Sequence, residues 1–399
     1  MRRPLEGVRV LTIEHFGAGP YATQLMSELG AEVIKCEAPS TGGDASRPSG
    51  PFMLGEHDSQ YFQTFSRSKK SAAIELKTDA GRADFERLVA SADAVVNNLR
   101  GDQPGKLRIT YDDLKALNPA VVCGHLSAYG RGNSRESWPG YDYPMQAEAG
   151  LMSLTGDPDA PPTRMGVSVI DFMTGSTFAF GVVSAILSAR ATGVGCDVDV
   201  CLFDVALHQL SYPGIWAMNE HYDVGRLPRG AHPSLAPVQR VKTRDGYGQL
   251  MCMTQKFWLE LCDIAARPDL AADPRFADLK ARRENLEALT AEMDALFSTK
   301  TTAEWHDLLA GRVPYGPVND IHQALANPFV EEVAMRDVID HPDRPQGLHM
   351  LACPVKVDGK RMPGKRAPKL GEHTRELLPD PSPLAGEGGP RSGSDEGAR

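Results

Sequence analysis

The 399-residue chain has no paired-cysteine framework. Its seven Cys lie at 36, 123, 196, 201, 252, 262 and 353, an odd total without any CxxC spacing. That pattern excludes the disulfide scaffold of a small secreted domain and a structural zinc site. The eleven His are dispersed, with no HExxH or HxH, and no metal is expected. Long apolar runs are missing as well. The stretch 172–189 is interrupted by Thr174, Gly175, Ser176, Thr177, Ser184 and Ser188, so no membrane span is expected. The start, MRRPLEGVRVLTIEH, is basic but has no apolar core followed by a small-residue cleavage site. It runs directly into a strand, and the expected location is cytoplasmic. Positive charge is in the minority, with 43 Lys and Arg against 52 Asp and Glu and a net charge of −9. Nucleic acid is therefore not an expected partner. An anionic ligand would need a local basic patch, for which Arg67-Ser-Lys69-Lys70 is a candidate.

What is present is an ordinary globular composition, 41% hydrophobic and 24% charged, in a chain long enough for two or three domains. The first forty residues predict a βαβ unit: strand VRVLTI, helix from the GAGPYATQLMSELG turn, strand AEVIKCE. The alternation continues with SAAIEL, a helix over 79–92, AVVNNL, a helix over 111–117, and VVCGHLSAYG. Such regularity predicts a mostly parallel sheet with helices on its faces. The segment GDASRPSGPFMLGEHDSQ is predicted to be a surface loop over the crevice, followed later by a helix over 143–153 and another over 204–219. From Arg226 the texture changes to two short strands around Asp245-Gly246 and helices near 256, 283–297 and 302–310, a smaller α+β domain. The predicted division is a large domain 1–225, a small domain 226–330, a return segment 331–378 completing the large domain, and a disordered tail 379–399 rich in Pro, Gly and Ser.

Two features carry chemistry. The first is Asp171, predicted to lie between a short buried strand, Val167–Ile170, and a long apolar helix running to about Ala191. A lone carboxylate there sits where a helix start favours negative charge and where an open α/β sheet forms its ligand crevice. An N-cap role alone would also explain it. The second is Gly17-Ala-Gly19-Pro-Tyr-Ala22, which follows a strand, opens a helix and precedes Glu37 at the end of the next strand. This satisfies a dinucleotide fingerprint and supports an NAD-dependent oxidoreductase as an alternative. Pro20, however, removes one N–H from the phosphate-facing turn, and no hydride-transfer acid or base follows.

The chain resembles the family III CoA-transferases (the CaiB/BaiF family). The likeness rests on the short AGP turn after the first strand, Gly30-Ala-Glu-Val-Ile-Lys35, Ser68-Lys69-Lys70-Ser71, Asn98-Leu99-Arg100 and Leu117-Asn118-Pro119. It continues through Pro139-Gly140-Tyr141-Asp142, the Asp171 region, Gly316-Pro317-Val318 and Arg366-Ala-Pro368-Lys-Leu-Gly371-Glu-His373-Thr, and spans residues 4–378. It implies a Rossmann-like CoA-binding domain with a smaller domain, in an interlocked homodimer. Asp171 would be the covalent nucleophile. CoA, a substrate and not a permanent cofactor, would be held by Gly17, Ala18, Lys69, Ile74, Lys77, Asn98, Leu99, Arg100, Lys106 and Tyr129. Lys and Arg at these places suit the CoA phosphates. The chain departs from the family at Ala38, often Arg, and at Gly17, sometimes Gln. It also lacks the Gly-rich loop of oxalate-specific members in 240–255.

The resemblance implies transfer of CoA from an acyl-CoA to a free carboxylic acid. Asp171 would form a mixed anhydride and then an aspartyl-CoA thioester, with backbone N–H groups near Tyr129–Gly130 as oxyanion donors. A dicarboxylic acceptor is expected, its second carboxylate held by Arg47, Arg226, Arg229 or His232. The rival within the family is an α-methylacyl-CoA racemase, which has a His-Asp pair where this chain has Tyr141-Asp142. A phenol, which ordinarily ionises near pH ~10, is a poor base at neutral pH, so the transferase is preferred. A CoA-binding subunit without chemistry is a third reading, which Asp171 disfavours.

Overall fold

The computed structural model describes residues 3–379. Beyond Pro379 the expected tail lies outside the described residues. The predicted alternation closes into β1 (Arg9–Ile13), α1 (Ala18–Glu28), β2 (Glu32–Glu37), α2 (Gln60–Ser66), β3 (Lys70–Ala73), α3 (Asp79–Val89), β4 (Ala94–Asn97), α4 (Gln103–Lys106), α5 (Tyr111–Leu114) and β5 (Val122–Ser127). There follow α6 (Asp142–Glu148), α7 (Val169–Thr192), β6 (Cys196–Cys201), α8 (Leu202–His208) and α9 (Ser211–Glu220). The six strands form one parallel sheet in the order β3-β2-β1-β4-β5-β6. The order reverses between β1 and β4, where Ile13 pairs with Asn97. At such a switch point the loops leaving the two strands part and open a crevice at their carboxyl ends.

One sheet face is covered by α1 and α7, through Ala22, Met26, Ile170, Phe178, Val182 and Ile186 packed on Val10, Val96, Val122 and Leu126. The other carries Phe85, Leu88 and Val89 of α3 against Leu11, Ile34 and Val95. The helices α1 and α7 cross closely because position 175 has no side chain. A Cβ there would stand 2.6 Å from the Ala18 carbonyl oxygen. By length and composition α7 is apolar enough to cross a membrane, contrary to the expectation from its Ser, Thr and Gly interruptions. Those residues are small and nearly neutral in hydropathy, and they lie between long apolar ones. Its outer face leaves Phe180 and Leu187 exposed.

The smaller unit has an antiparallel sheet of β7 (Val238–Lys242), β8 (Tyr247–Met251) and β9 (Tyr315–Pro317). It packs on α10 (Gln255–Ile264), α11 (Pro268–Ala272), α12 (Leu279–Glu284), α13 (Leu286–Phe297) and α14 (Thr302–Leu309) around Trp258, Phe276, Phe297 and Trp305. A hairpin not anticipated from the sequence, β10 (Arg336–His341) with β11 (Arg344–Leu351), follows. The chain then returns along β3: Gly371 N–H donates to Ser71 Oγ, and His373 N–H to the Ser71 carbonyl.

Three further expectations are corrected. The predicted helix over 204–219 breaks between α8 and α9, where Ser211 has φ 51° and Pro213 lacks the N–H that a continuous helix would use. The helix predicted over 143–153 ends at Glu148 and gives way to a 3₁₀ turn over Leu151–Leu154. The segment 43–60 is not a free surface loop. Asp44, Ser46 and Arg47 are buried, and α2 follows directly.

Candidate active site

A cleft of about 370 Å³ opens at the carboxyl ends of β1, β4, β5 and β6. Its walls include His15, Phe16, Gly17 and Ala18 after β1, Asn98–Arg100 after β4, Ser127 and Ala128 at the end of β5, and Leu202 after β6, with Trp138, Tyr141 and Asp171 closing it. The β1–α1 turn is held from both sides. Asn98 Oδ1 accepts the His15 N–H at 2.9 Å and Asn98 Nδ2 donates to the His15 carbonyl at 2.7 Å. Phe16 is forced to φ 61°, a left-handed conformation that a bulky residue adopts only where its surroundings impose it.

Asp171 is not at the end of a strand. Residues 167–168 pair with no strand, and α7 begins at Val169, which puts Asp171 inside the first turn. The cause is Asp142, whose Oδ2 accepts the N–H of Ile170 at 2.6 Å and of Asp171 at 3.0 Å. A carboxylate from another element thus supplies the cap that Ser168 does not. The Asp171 carboxyl faces Gly17, so closely that a Cβ at residue 17 would lie 2.8 Å from Oδ2. Among the described residues it accepts no hydrogen bond. Burial, with the charge of Asp142 second, pushes its pKa up to about 7. An undersolvated carboxylate of this kind is a stronger base and nucleophile than one in water. Beside it, the N–H groups of Gly17, Ala18 and Gly19 take no partner among the described residues, the first helical bond of α1 being Tyr21 N–H to the Gly17 carbonyl. Those of Gly17 and Ala18, which line the cleft, are available to an oxygen that gains negative charge.

Of the residues expected to hold CoA, Gly17, Ala18, Asn98, Leu99 and Arg100 come together on the cleft wall. Lys77 and Lys106 are exposed outside the lining, Lys106 paired with Asp102. Tyr129 stands behind the wall, its hydroxyl donating to Glu148 and its ring against Trp138. Ile74 has its side chain in the core and its N–H on the Glu37 carbonyl. Lys69 must be corrected. It is buried, its Nζ donating to Glu14 Oε1 at 2.8 Å, Thr23 Oγ1 at 2.7 Å and the Pro20 carbonyl at 2.9 Å. Burial, with Lys35 nearby, lowers its pKa to about 8, and its ammonium braces the first turn of α1 with nothing left for a phosphate. Glu14, which accepts from both lysines, is held down at about 2, their charges outweighing its burial.

Of the expected oxyanion donors, the Gly130 N–H is spent on Ser127 Oγ at 2.9 Å. None of the four groups proposed for a second carboxylate lines the cleft. Arg47 is buried under Phe62 and makes a two-point ion pair with Glu37, at 2.8 and 2.7 Å. Arg229 pairs with Asp294, Arg226 donates to the Pro158 carbonyl, and His232 meets the Tyr212 hydroxyl. Sequence reasoning missed His15, Phe16 and Trp138 as lining residues. The only signal was their place, immediately after β1 and just before the Pro139-Gly140 turn.

The sequence pattern of CoA-transferase family III matches residues 5–374. The chain is 33% identical over 383 residues to an acetyl-CoA:oxalate CoA-transferase of Acetobacter aceti, covering 94% of this chain and 95% of that protein. It is 32% identical over 382 residues to a succinyl-CoA:mesaconate CoA-transferase of Haloarcula hispanica, with the same coverage. A succinate–glutarate CoA-transferase of Agrobacterium fabrum matches at 33% over 391 residues, again 94% and 95% of the two chains. Among solved structures, a CaiB/BaiF family protein from Brucella suis superimposes with a TM-score of 0.80 at 31% identity, covering 94% of this chain and 99% of that one.

Proposed function

Since the chain belongs to CoA-transferase family III, we propose that it moves CoA from an acyl-CoA donor to a free carboxylic acid with Asp171 as the covalent nucleophile. The observation that carries this is the half-buried Asp171 carboxyl, without a hydrogen-bond donor and facing Gly17 at the free amide end of α1. An Asp171 oxygen attacks the donor thioester carbon. The C–S bond breaks, CoA leaves as thiolate, and an acyl-aspartyl anhydride remains. The thiolate attacks the Asp171 carbonyl carbon, releasing the donor acid as carboxylate and leaving an aspartyl-CoA thioester. An acceptor carboxylate then attacks that carbon and expels the thiolate, which takes the acceptor acyl group and frees Asp171. Charge is conserved at each exchange, one anion entering as another leaves. The amides of Gly17 and Ala18 suit the developing oxyanions. CoA held along Asn98–Arg100 keeps its thiolate near each anhydride.

The named relatives act on oxalate, mesaconate and glutarate, which supports a short dicarboxylic acceptor here. In this chain's own cleft wall the groups able to meet a distal carboxylate are His15 and Arg100. A panel of acyl-CoA donors and free acids, read by product mass, tests the class, and hydroxylamine trapping should tag Asp171. Label at another residue sinks the assignment. The racemase reading requires α-deuterium uptake by a 2-methylacyl-CoA in D₂O at a catalytic rate. None is expected, because Tyr141 stands where that branch has its base. Family membership leaves the NAD reading without support.

We also propose a homodimer. Phe180 and Leu187 on α7 and Ile215 and Met218 on α9 are all more than half exposed, at 53–75%, an apolar surface that monomers rarely leave bare. Sedimentation analysis should give a dimer, and Phe180→Glu with Leu187→Glu should weaken it. A wild-type monomer at micromolar concentration refutes the proposal.

A further inference from the structure

Two carboxylates meet at the start of α7, and the helix serves only one of them. An acid in the first helical turn ordinarily gains from the free amides there, or folds back on the N-cap N–H. Asp171 does neither. The amides of Ile170 and of Asp171 itself both donate to Asp142 Oδ2, from a residue 28 and 29 positions earlier in the chain. Asp142 is 3% exposed, and its Oδ1 is fixed by Gln146 Nε2 at 2.5 Å. Gln146 is fixed in turn, its Oε1 accepting the Met165 N–H at 2.9 Å. The acid therefore cannot swing away from α7.

We propose that Asp142 is a positioning residue that sets the charge state of Asp171: it takes the helix amides, leaves the nucleophile without a donor and holds a like charge beside it. The other ionisable groups around Asp171 are His15 on the β1–α1 turn, Arg100 after β4, Tyr61 on α2, and Tyr141 at the N-cap of α6. The raised pKa of Asp171, with Asp142 second among its causes after burial, agrees in direction. The mechanistic consequence is specific. Acylation of Asp171 removes its charge and ends the repulsion from Asp142, so the anhydride and the thioester are favoured over the free carboxylate. Asp142 thus drives the enzyme toward its covalent states without touching the substrate.

This inference rests on the nucleophile assigned above, and the two can be tested apart. Asp142→Asn and Asp142→Ser each keep an oxygen acceptor for the α7 amides but remove the charge, whereas Asp142→Glu keeps the charge. In the full-length protein without substrate, the Asp171 carboxyl can be titrated by infrared difference spectroscopy, with Asp171→Asn identifying the band. The midpoint is expected to fall by about one unit in the two neutral variants and to stay near the wild-type value in Asp142→Glu. The acid limb of kcat/KM should move with it, so that activity near pH ~5.5 relative to pH ~8 rises about tenfold. Covalent occupancy of Asp171, read by intact mass after an acid quench, should drop. A folded neutral variant with an unmoved midpoint overturns the inference. So does a wild-type midpoint near ~4, a measurement that needs no variant to fold. A moved midpoint with no covalent label at Asp171 instead removes the nucleophile and leaves the charge coupling standing.

Discussion

Asp171→Asn is expected to lower kcat by at least ~10³ and, at the same time, to make the protein more stable at pH ~8. The rate loss is of the order that follows removal of a covalent nucleophile. The gain in stability follows from the raised pKa. A carboxyl that ionises at about 7 in the folded chain but near ~4 when unfolded destabilises the fold in its charged form. The penalty is absent below pH ~4, grows as the pH rises to about 7, and is complete above that value. Asparagine, neutral throughout, escapes it. With allowance for solvent screening of a half-buried group, the variant should gain roughly 1–3 kcal/mol at pH ~8 and nothing at pH ~4. Thermal melts of both proteins at the two pH values read this directly. An equal melting temperature at pH ~8 would mean that the carboxyl is not held at a cost. Retention of even a tenth of the rate would mean that the chemistry lies elsewhere.

Gly17→Ala is expected to lose about 10² of kcat/KM with hardly any change in melting temperature. Gly17 has φ −97° and ψ −79°, a conformation that alanine adopts freely, so the backbone of α1 is not strained by the change. The added methyl, however, would lie 2.8 Å from Asp171 Oδ2 and 3.4 Å from its Cγ. The carboxyl has to turn away, out of reach of the Gly17 and Ala18 amides and of a thioester placed against them. The loss should fall on kcat with little effect on the KM for CoA. A variant within twofold of wild type would show that the carboxyl tolerates displacement and that close placement against α1 is not part of catalysis.

The sequence made the sheet legible because β1, β2, β4 and β5 are short runs of Val, Ile, Leu and Cys between turn residues, with helical periodicity in α1 and α3. Gly17, Ala18 and Asn98–Arg100 were legible for the same reason, as residues just past strand ends. What failed was information carried across the chain. Val167–Ile170 has strand composition, yet Asp142, 28 residues upstream of Ile170, starts a helix there. Lys69 reads as a surface cation beside Lys70, but its partners Thr23 and Glu14 lie 46 and 55 positions away and together draw it inside. Arg47 sits in a Pro/Gly-rich stretch that looks solvated, and Glu37 buries it. In each case a charged partner that local pattern does not register decided the position.

The stitching of residues 367–374 to Gln63, Ser71 and Ala73 joins positions about 300 apart in the chain. During synthesis β3 is therefore made as an edge strand with unpaired backbone groups, and it stays so until about 300 further residues have been translated. Contacts of such separation are slow to form, because the intervening loop must close before any of them can stabilise it. Until then the exposed edge is available to other nascent chains. The C-terminal stretch is thus a late-arriving cover, and a ribosome that stops short of it releases a sheet that can recruit its neighbours.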